Sequence, residues 1–338
     1  MEFTSWSFSK IWNASLELGR PDRPIKKREH LWAGEIGGSY IDRYLKMTGV
    51  VPTNPPNARS KRKFEAGNLM EWVVEMVLLR AGILVKAQEW LSHTYPGLLQ
   101  VTGKLDFLAG GKPDYEKARE AVDALELPEF FGRAVQKIVD YLKEKYPDGL
   151  KEIVLEVKSC SSFMYERYDS QGADRRHQAQ LFHYLKSKGM NEGHIIYICK
   201  DDLRLLEFII NSPSDVETFY KNDIEVMTKY IRDGVCPPKE PLVIFDNFKF
   251  RTNFKVAYSN YLTKLYGYEN QFAYDEKWKR EVAKWDRVYQ RSINSAKMTD
   301  KNLEVIERIK EVYPNYDELV EIGKVNIDAV ALGEEEDD

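Results

Sequence analysis

The alternation of apolar and polar residues predicts a buried β-strand near the middle of the chain, over residues 152–159. The segment is rich in branched apolar side chains and follows a turn-like proline-aspartate-glycine sequence, which is typical of a buried strand. Side chains alternate between the two faces of a strand, so Leu155 and Val157 share one face and Glu156 and Lys158 share the other. A carboxylate and an ammonium in a core strand are costly to remove from water. The pattern therefore predicts either a partly buried ion pair or a cleft that serves a metal or a charged substrate.

Similar patterns on both sides of this strand predict an alternation of strands and helices. Asp106 is set among apolar neighbours near the end of one predicted strand, and Gln180 and Tyr184 lie one turn apart on a predicted helix. The helix over 64–79 is apolar on most sides, so we expect it to be buried. Strands are predicted at 83–90, 98–108, 194–200 and 203–210, and helices at 64–79, 175–184 and 215–232.

Two stretches are candidates for contacts with phosphate groups. The glycine-rich residues 34–38 precede Ser39 and an apolar-periodic run, which predicts a loop leading into a helix with Ser39 near its N-cap. Free N–H groups at a helix N-terminus favour anions, so Ser39 and Arg43 are one candidate pair, although an ordinary capping serine fits equally well. Arg175 and Arg176, at the start of a later helix, are the second pair.

The overall composition gives no general attraction to nucleic acid. The 338 residues carry 50 lysines and arginines against 54 aspartates and glutamates, a formal charge of −4, so DNA binding would need a local basic cleft. No basic segment followed by an apolar run indicates a signal peptide, and no apolar stretch approaches the ~20 residues of a membrane span. The three cysteines are far apart, which is typical of reduced thiols. We therefore expect a cytoplasmic protein without a membrane partner.

Three features in chain order carry a resemblance to a known superfamily. Asp106 comes first, Glu156 and Lys158 follow two residues apart in a later strand, and Gln180 and Tyr184 come on the next helix. This order resembles that of the PD-(D/E)XK nucleases, especially the RecB-like and phage lambda exonuclease-like (YqaJ) branches.

Two further stretches extend the resemblance towards the N-terminus. Residues 34–39 resemble the "iGGS" motif of lambda exonuclease-like enzymes, in which the serine and adjacent basic residues approach a DNA phosphate. The spacing of Gly67 and Glu71 resembles the first acidic motif of that branch, which makes Glu71 the expected third carboxylate. Glu65 and Glu75 are the competing candidates, and a solvated helix face is the alternative.

The chain also departs from the pattern of these nucleases. Leu105 stands where a proline usually precedes the aspartate. A helical insertion over 113–149 separates Asp106 from Glu156, whereas relatives usually have a much shorter connection. The pairing of these two carboxylates is therefore inferred rather than read directly from the motif.

The resemblance implies an α/β fold with a restriction-endonuclease-like core, in which helices flank a central mixed β-sheet, with a helical insertion and a mainly helical C-terminal extension. Lys158 would orient the attacking water and offset developing negative charge. Four groups are implied as ligands of one or two Mg²⁺ or Mn²⁺ ions: the carboxylates of Glu71, Asp106 and Glu156 and the backbone carbonyl of Val157.

The function implied by the resemblance is metal-dependent DNA cleavage, in the leading form an exonuclease that processes DNA ends in recombination or repair. Gln180 and Tyr184 would support the site or touch the DNA backbone. The alternatives are a structure- or sequence-specific endonuclease and a DNA-binding protein whose nuclease core has lapsed. The expected partners are DNA with a free end, a further copy of the chain or a recombination protein. Three cysteines cannot supply the four thiolates of an iron–sulfur cluster, so none is expected.

The changes in composition predict a division of the chain into successive segments. From about residue 242 onwards aromatic and basic residues crowd together, and residues 277–291 predict a basic, aromatic helix that packs on its own domain with some DNA contact. The predicted segments are an N-terminal segment at 1–33, the nuclease core at 34–236, the aromatic and basic extension at 237–330, and an acidic tail at 331–338.

Overall fold

The computed structural model describes residues 7–18, 25–125, 132, 134–211, 214–267 and 276–333. The chain divides into two compact units, one formed by Met1–Val51 with Ala58–Pro237 and the other by Pro52–Asn57 with Pro238–Asp338. All four predicted segments fall partly outside the described residues: the N-terminal segment at 1–6 and 19–24, the nuclease core at 126–131 and 133 of its insertion and at 212–213, the extension at 268–275, and the acidic tail at 334–338.

The first unit is built from strands and helices that alternate along much of the chain. Its strands are β1 (Leu31–Trp32), β2 (Leu84–Ala87), β3 (Trp90–His93), β4 (Val101–Lys104), β5 (Phe107–Gly111), β6 (Leu150–Cys160), β7 (Gly193–Cys199) and β8 (Leu205–Ile210). Its described helices are α1 (Phe8–Leu18), α2 (Tyr40–Met47), α3 (Ala58–Arg80), α4 (Tyr115–Ala124), α5 (Val135–Lys145), α6 (Ser162–Gln171), α7 (Arg175–Lys188) and α8 (Ser214–Asp233).

The main sheet has five strands in the order β2-β5-β6-β7-β8. Strands β6 and β7 are parallel, while the other neighbouring pairs are antiparallel, so the sheet is mixed. A smaller sheet has the order β1-β4-β3. Strand β6 lies in the middle of the main sheet and contains the predicted strand at 152–159.

Helices cover both faces of the main sheet. Leu155 and Val157 of β6 pack in a cluster with Leu78 of α3. Val154, on the opposite face of β6, packs with Leu181 of α7. Leu155 and Val157 therefore share one face of β6, as the sequence predicted. The predicted α/β class, with a central mixed sheet flanked by helices, is confirmed.

Two predicted strands are each broken into two, which corrects the sequence analysis. The segment 83–90 becomes β2 and β3, and the segment 98–108 becomes β4 and β5. The two broken strands pair as one ribbon that passes from the small sheet into the main sheet, because β3 pairs with β4 and β2 pairs with β5. At the bend, Gln88 has a φ of 56°, and its N–H donates to the carbonyl of Asp106 at 2.9 Å. Asp106 therefore lies at the bend rather than inside a strand.

Helix α3 also differs from its prediction. It begins at Ala58 rather than at 64, so the base-rich residues 58–63 belong to the helix as well. It is not buried on most sides, since Leu69, Val73 and Val77 are all exposed. Only one face of this long helix is held against the sheet, and apolar residues on the remaining faces are left in contact with solvent.

The second unit is mainly helical. Its core joins Phe250 of a hairpin to Trp285 and Tyr289 of the predicted basic, aromatic helix, and these two rings are buried. The described elements are β9 (Val243–Asp246), β10 (Lys249–Thr252), α9 (Phe254–Ala257), α10 (Leu262–Tyr266), α11 (Glu276–Ile293), α12 (Asp300–Val312) and α13 (Tyr316–Gly333). No helix within the described ranges of the whole chain has the length and apolar character to cross a membrane.

Candidate active site

The bend of the ribbon brings Asp106 beside Glu156. In the antiparallel register of β5 and β6, Phe107 lies opposite Leu155, so the next position places Asp106 opposite Glu156. One oxygen of Asp106, Oδ2, accepts a hydrogen bond from the N–H of Val157 at 2.8 Å. Asp106 is 8% exposed and Glu156 is 0% exposed. A carboxylate at the bend and a carboxylate on β6 therefore meet in the interior of the first unit.

Lys158 supplies the positive charge of this group. Its Nζ donates a hydrogen bond to Oε1 of Glu156, and the two side chains form an ion pair. The Lys158 side chain is 26% exposed, so the ammonium links the buried carboxylate to the surface. The second oxygen of Glu156, Oε2, is buried without a hydrogen-bond partner in the described structure.

The electrostatic balance of the site favours a bound cation. Burial and the neighbouring carboxylate of Asp106 raise the pKa of Glu156, although Lys158 acts in the opposite direction. Burial also raises the pKa of Asp106, partly offset by Lys158 and by the N–H of Val157. For Lys158, burial alone would lower the pKa, but the carboxylates of Glu156 and Asp106 outweigh it and raise the pKa. Each carboxylate is thus costly to ionise without a nearby positive charge.

Glu71 of α3 faces the same group of charges. It is half-buried, and burial followed by the carboxylate of Asp106 raises its pKa, while Lys158, Lys104 and a hydrogen bond with Gln88 lower it. Glu65, one of the competing candidates, instead accepts a hydrogen bond from Nε1 of Trp12 at 2.9 Å. The structure therefore brings Glu71 into electrostatic contact with the buried pair of carboxylates.

Gln180 and Tyr184 of α7 hold the strand that leads into Asp106. The Tyr184 hydroxyl donates to the carbonyl of Lys104 at 2.9 Å and accepts from Nε2 of Gln180 at 3.1 Å. Tyr184 is 1% exposed, and a Cβ on Gly103 would lie 2.7 Å from its ring, so glycine is needed for this close approach. Tyr184 is therefore fixed against the strand that leads into Asp106.

Two contributors were missed by the sequence analysis, Lys104 and Gln88. Lys104 lowers the pKa of both Asp106 and Glu71, and it lines a cavity of about 310 Å³ together with Gln180 and Tyr184. Its position two residues before Asp106 could have indicated this role, since alternate residues of a strand share a face. Gln88 offered no signal, because its role depends on the bend.

The donor set fits a hard divalent cation. Within the described ranges, no three histidine, cysteine, aspartate or glutamate side chains are gathered in the way a complete metal site requires. Mg²⁺, however, is usually bound through one or two carboxylates and keeps several waters or substrate oxygens. Asp106 and Glu156 supply that number, and the unpaired Oε2 of Glu156 is a buried oxygen that a cation would satisfy. Buried oxygen donors are the ligands that Mg²⁺ and Mn²⁺ prefer.

The structure corrects the predicted surface role of Arg43. Ser39 caps α2, accepting from the N–H of Asp42 at 3.4 Å, and is 4% exposed. The Arg43 guanidinium donates to both carboxylate oxygens of Asp223, at 2.6 and 2.8 Å, and is 2% exposed. A guanidinium enclosed in this way presents no charge to a DNA phosphate. The sequence could not reveal this pairing, since Asp223 lies 180 residues away.

Arg175 and Arg176 lie at the surface, and both are paired. Arg176 forms an ion pair with Asp174 at 3.1 Å, and Arg175 forms one with Asp215 at 3.4 Å. Arg175 also lies over the ring of Phe219, 5.1 Å from its centroid. Either arginine would have to leave or share a carboxylate to bind a phosphate.

Three solved structures show remote likenesses to this chain. No family model matches the chain. No curated protein matches it either. The crystal structure of SSO0001 is similar over 70% of this chain and 98% of that chain, with 15% identity and a TM-score of 0.40. The alkaline exonuclease LHK-Exo from Laribacter hongkongensis is similar over 67% of this chain and 94% of that chain, with 9% identity and a TM-score of 0.37. The complex of LHK-Exo with dAMP has the same identity and coverage and a TM-score of 0.39.

The buried Arg43–Asp223 pair predicts a large effect on stability. Replacing Arg43 with methionine leaves the carboxylate of Asp223 enclosed without its counter-charge, so we expect the free energy of unfolding to fall by about 3–5 kcal/mol. Denaturant titration measures this change. Arg175→Met is the matched control, and loss of its exposed ion pair should cost at most ~1 kcal/mol. An Arg43→Met protein of unchanged stability that binds DNA weakly would instead restore the predicted phosphate contact.

Proposed function

We propose that this chain is a divalent-metal-dependent deoxyribonuclease that hydrolyses phosphodiester bonds. One observation carries the proposal: a fully buried glutamate, Glu156, is paired with the partly exposed Lys158 and lies beside the carboxylate of Asp106. This is the arrangement expected from the Asp and Glu-x-Lys order in the sequence. The remote likeness to an exonuclease carries no weight in this proposal.

A structural role alone accounts poorly for this group. A buried ion pair seldom adds net stability, because removing both charges from water costs about as much as their attraction returns. The unpartnered Oε2 of Glu156 adds a further cost, typically about 1–3 kcal/mol for an unsatisfied buried polar group. Arrangements that cost stability in this way are concentrated at functional sites, where the perturbed groups take part in chemistry. The site therefore supports a catalytic interpretation over a structural one.

The carboxylates of Asp106 and Glu156 would hold Mg²⁺ or Mn²⁺, with Glu71 as a third ligand and the Val157 carbonyl as a fourth. When bound, such an ion polarises the phosphate and lowers the pKa of a bound water. The N–H of Val157 fixes the orientation of Asp106 through the 2.8 Å hydrogen bond to Oδ2. The other oxygen of Asp106, Oδ1, would remain available to bind the ion.

Lys158 is the residue best placed to act on the substrate. Its ammonium is anchored by Glu156 on one side, and its partial exposure leaves room for a water or a phosphate oxygen on the other. A fixed ammonium in a partly buried site stabilises developing negative charge more strongly than the same group in water. Lys158 would therefore hold the attacking water and offset the charge that develops on the phosphate.

Gln180 and Tyr184 would act through Asp106 as positioning residues. Their hydrogen-bond chain ends on the main-chain carbonyl of Lys104, two residues before the carboxylate. A misplacement of about 1 Å at a reacting group can lower a rate by about 100-fold, so this support matters for catalysis.

We propose an exonuclease that processes DNA ends in recombination or repair, with DNA bearing a free end as its substrate. A DNA-binding protein with a lapsed nuclease core is less consistent with the site, because Asp106, Glu156 and Lys158 are all retained and adjacent. An endonuclease would share the same chemistry but would also cut closed circular DNA. Substrate topology therefore separates the two kinds of nuclease.

The assignment predicts metal-dependent cleavage of linear duplex DNA that EDTA abolishes, with closed circular DNA left intact. Lys158→Ala should lower the rate by about 10²–10³-fold, since it removes the group that stabilises developing charge. Asp106→Asn and Glu156→Gln should lose activity because they remove metal ligands. End-labelled linear and supercoiled circular substrates, with Mg²⁺ or Mn²⁺, give the initial rates.

The control for these variants is Lys151→Ala. Lys151 lies on the same strand, is 69% exposed and pairs with Glu192, so its loss should leave the rate unchanged. Full activity of Asp106→Asn or Glu156→Gln would refute the site, whereas rapid nicking of closed circles would refute only the exonuclease form.

Glu71 and Glu75 provide a second comparison on one helix. Glu71→Gln replaces a negatively charged metal ligand with a neutral amide, so it should raise the Mn²⁺ concentration needed for half-maximal rate. Excess Mn²⁺ should restore part of the rate. Glu75→Gln, one helical turn further on, should have little effect. Titration of the cleavage rate with Mn²⁺ measures both, and the opposite ranking would show that another face of α3 serves the metal.

A further inference from the structure

A second cleft begins one residue beyond Lys158. It has a volume of about 660 Å³ and is lined at its base by Ser159, Ser161 and Lys200. These residues lie at or just beyond the carboxyl ends of β6 and β7, which are parallel neighbours. The crevice at the carboxyl ends of parallel strands is a common position for ligand binding in α/β folds. The first turns of α3 and Trp12 of α1 form the opposite wall.

The cleft carries an excess of positive charge. Arg59, Arg62 and Lys63 of α3 join Lys200 in its lining. Among the residues that the structure describes, Arg59, Lys63 and Lys200 form no ion pair. The one acidic residue in the lining, Asp201, accepts hydrogen bonds from the N–H and Oγ of Ser162 at 2.8 and 2.6 Å. Its charge is therefore already used at the start of α6.

Several basic residues elsewhere on this unit are paired with carboxylates. Glu35 binds both Arg28 and Lys46, each at 3.1 Å. Lys186 binds Glu217 at 3.3 Å, like many other basic residues of the same unit. In a chain with a net charge of −4, the cations that line this one cleft form a local basic group. A nucleic-acid-binding surface on an acidic protein needs such a local basic group.

The position of these cations on α3 is itself unfavourable. The first turn of the helix contains no acidic residue, although the N-terminus of a helix carries partial positive charge and favours acidic side chains. Arg59 and Lys63 are four residues apart, and like charges at this spacing repel each other along a helix. A bound polyanion would offset both costs.

The aromatic wall restricts what kind of polyanion the cleft would hold. Trp12 is 40% exposed, its Nε1 is fixed by Glu65 at 2.9 Å, and Arg62 lies 5.7 Å from its ring centroid. Exposed aromatic rings beside cations are typical of sites for unpaired nucleic acid, where bases stack and phosphates are neutralised. The volume is in the range of pockets that enclose one small molecule, which is too small for a duplex.

We propose that this cleft binds an unpaired strand of the DNA substrate next to the scissile phosphate. Arg59, Lys63 and Lys200 would neutralise its phosphates, and Trp12 would stack on a base. The proposal rests on the nuclease function and specifies its substrate: DNA whose end is single-stranded or is opened at the site.

The test is the binding of fluorescently labelled DNA to the full-length protein, measured by anisotropy in EDTA over a series of salt concentrations. Arg59→Gln with Lys63→Gln should weaken binding to a duplex with a single-stranded extension. Because two phosphate contacts would be lost, the slope of log K against log salt should become less steep by ~1.4. Binding to a blunt duplex should change much less.

The matched control is Lys229→Gln with Arg232→Gln. These residues are exposed on α8, and the substitutions change the net charge by the same amount. Equal losses of DNA affinity in both double variants would show a general charge effect and would overturn the assignment of the cleft as a DNA-binding site. Equal losses on blunt and extended DNA would overturn its assignment to an unpaired strand.

Cleavage assays on the same proteins separate the two proposals. A wild-type protein that cleaves DNA but binds the extension no better than Arg59→Gln with Lys63→Gln overturns the cleft and leaves the nuclease function intact. A wild-type protein that neither cleaves nor binds DNA overturns both.

Discussion

The buried carboxylate of Glu156 is the constraint on which the rest of the first unit depends. It has no exposed surface, and Lys158, held beside it, offsets part of the cost of ionising it. A charge that is removed from water needs a compensating partner in a fixed position. The central position of β6 in the sheet provides that fixed position, since strands on both sides and helices on both faces hold it in place. The site and the core are therefore parts of the same packing arrangement.

The second carboxylate is positioned by a different device, the bend of the two-stranded ribbon. The bend carries the chain from the small sheet into the main one, and Asp106 lies where the direction changes. The hydrogen bond between Gln88 and the carbonyl of Asp106 fixes the bend from one side, and Tyr184 fixes the preceding strand from the other. Gln88 also lowers the pKa of Glu71, so the bend influences the third carboxylate as well.

The central strand and its two faces could be predicted because its side chains alternate between the two faces, so the residues that share a face can be read from the sequence. The bend could not, since its strands continue the same apolar pattern across the break and only their pairing partners change. The partner of Arg43 could not be predicted either, because contacts between residues far apart in sequence depend on the folded topology. The basic cleft could be predicted only in part. The basic run 59–63 was visible, but its helical conformation and its position beside the end of β6 became apparent only in the structure.

We expect the pair of Glu156 and Lys158 to serve cation-dependent chemistry and to add no net stability to the fold. The most direct measurement is denaturant unfolding, with and without Mn²⁺, of the wild-type protein and of the double variant Glu156→Leu with Lys158→Met. Without metal, the double variant should be at least as stable as the wild type, because apolar residues replace a buried ion pair. Mn²⁺ should stabilise the wild type, by about 2.7 kcal/mol at 100 times its dissociation constant, and should leave the double variant unchanged. A double variant that loses about 3–5 kcal/mol, together with a wild type that does not respond to Mn²⁺, would contradict the account.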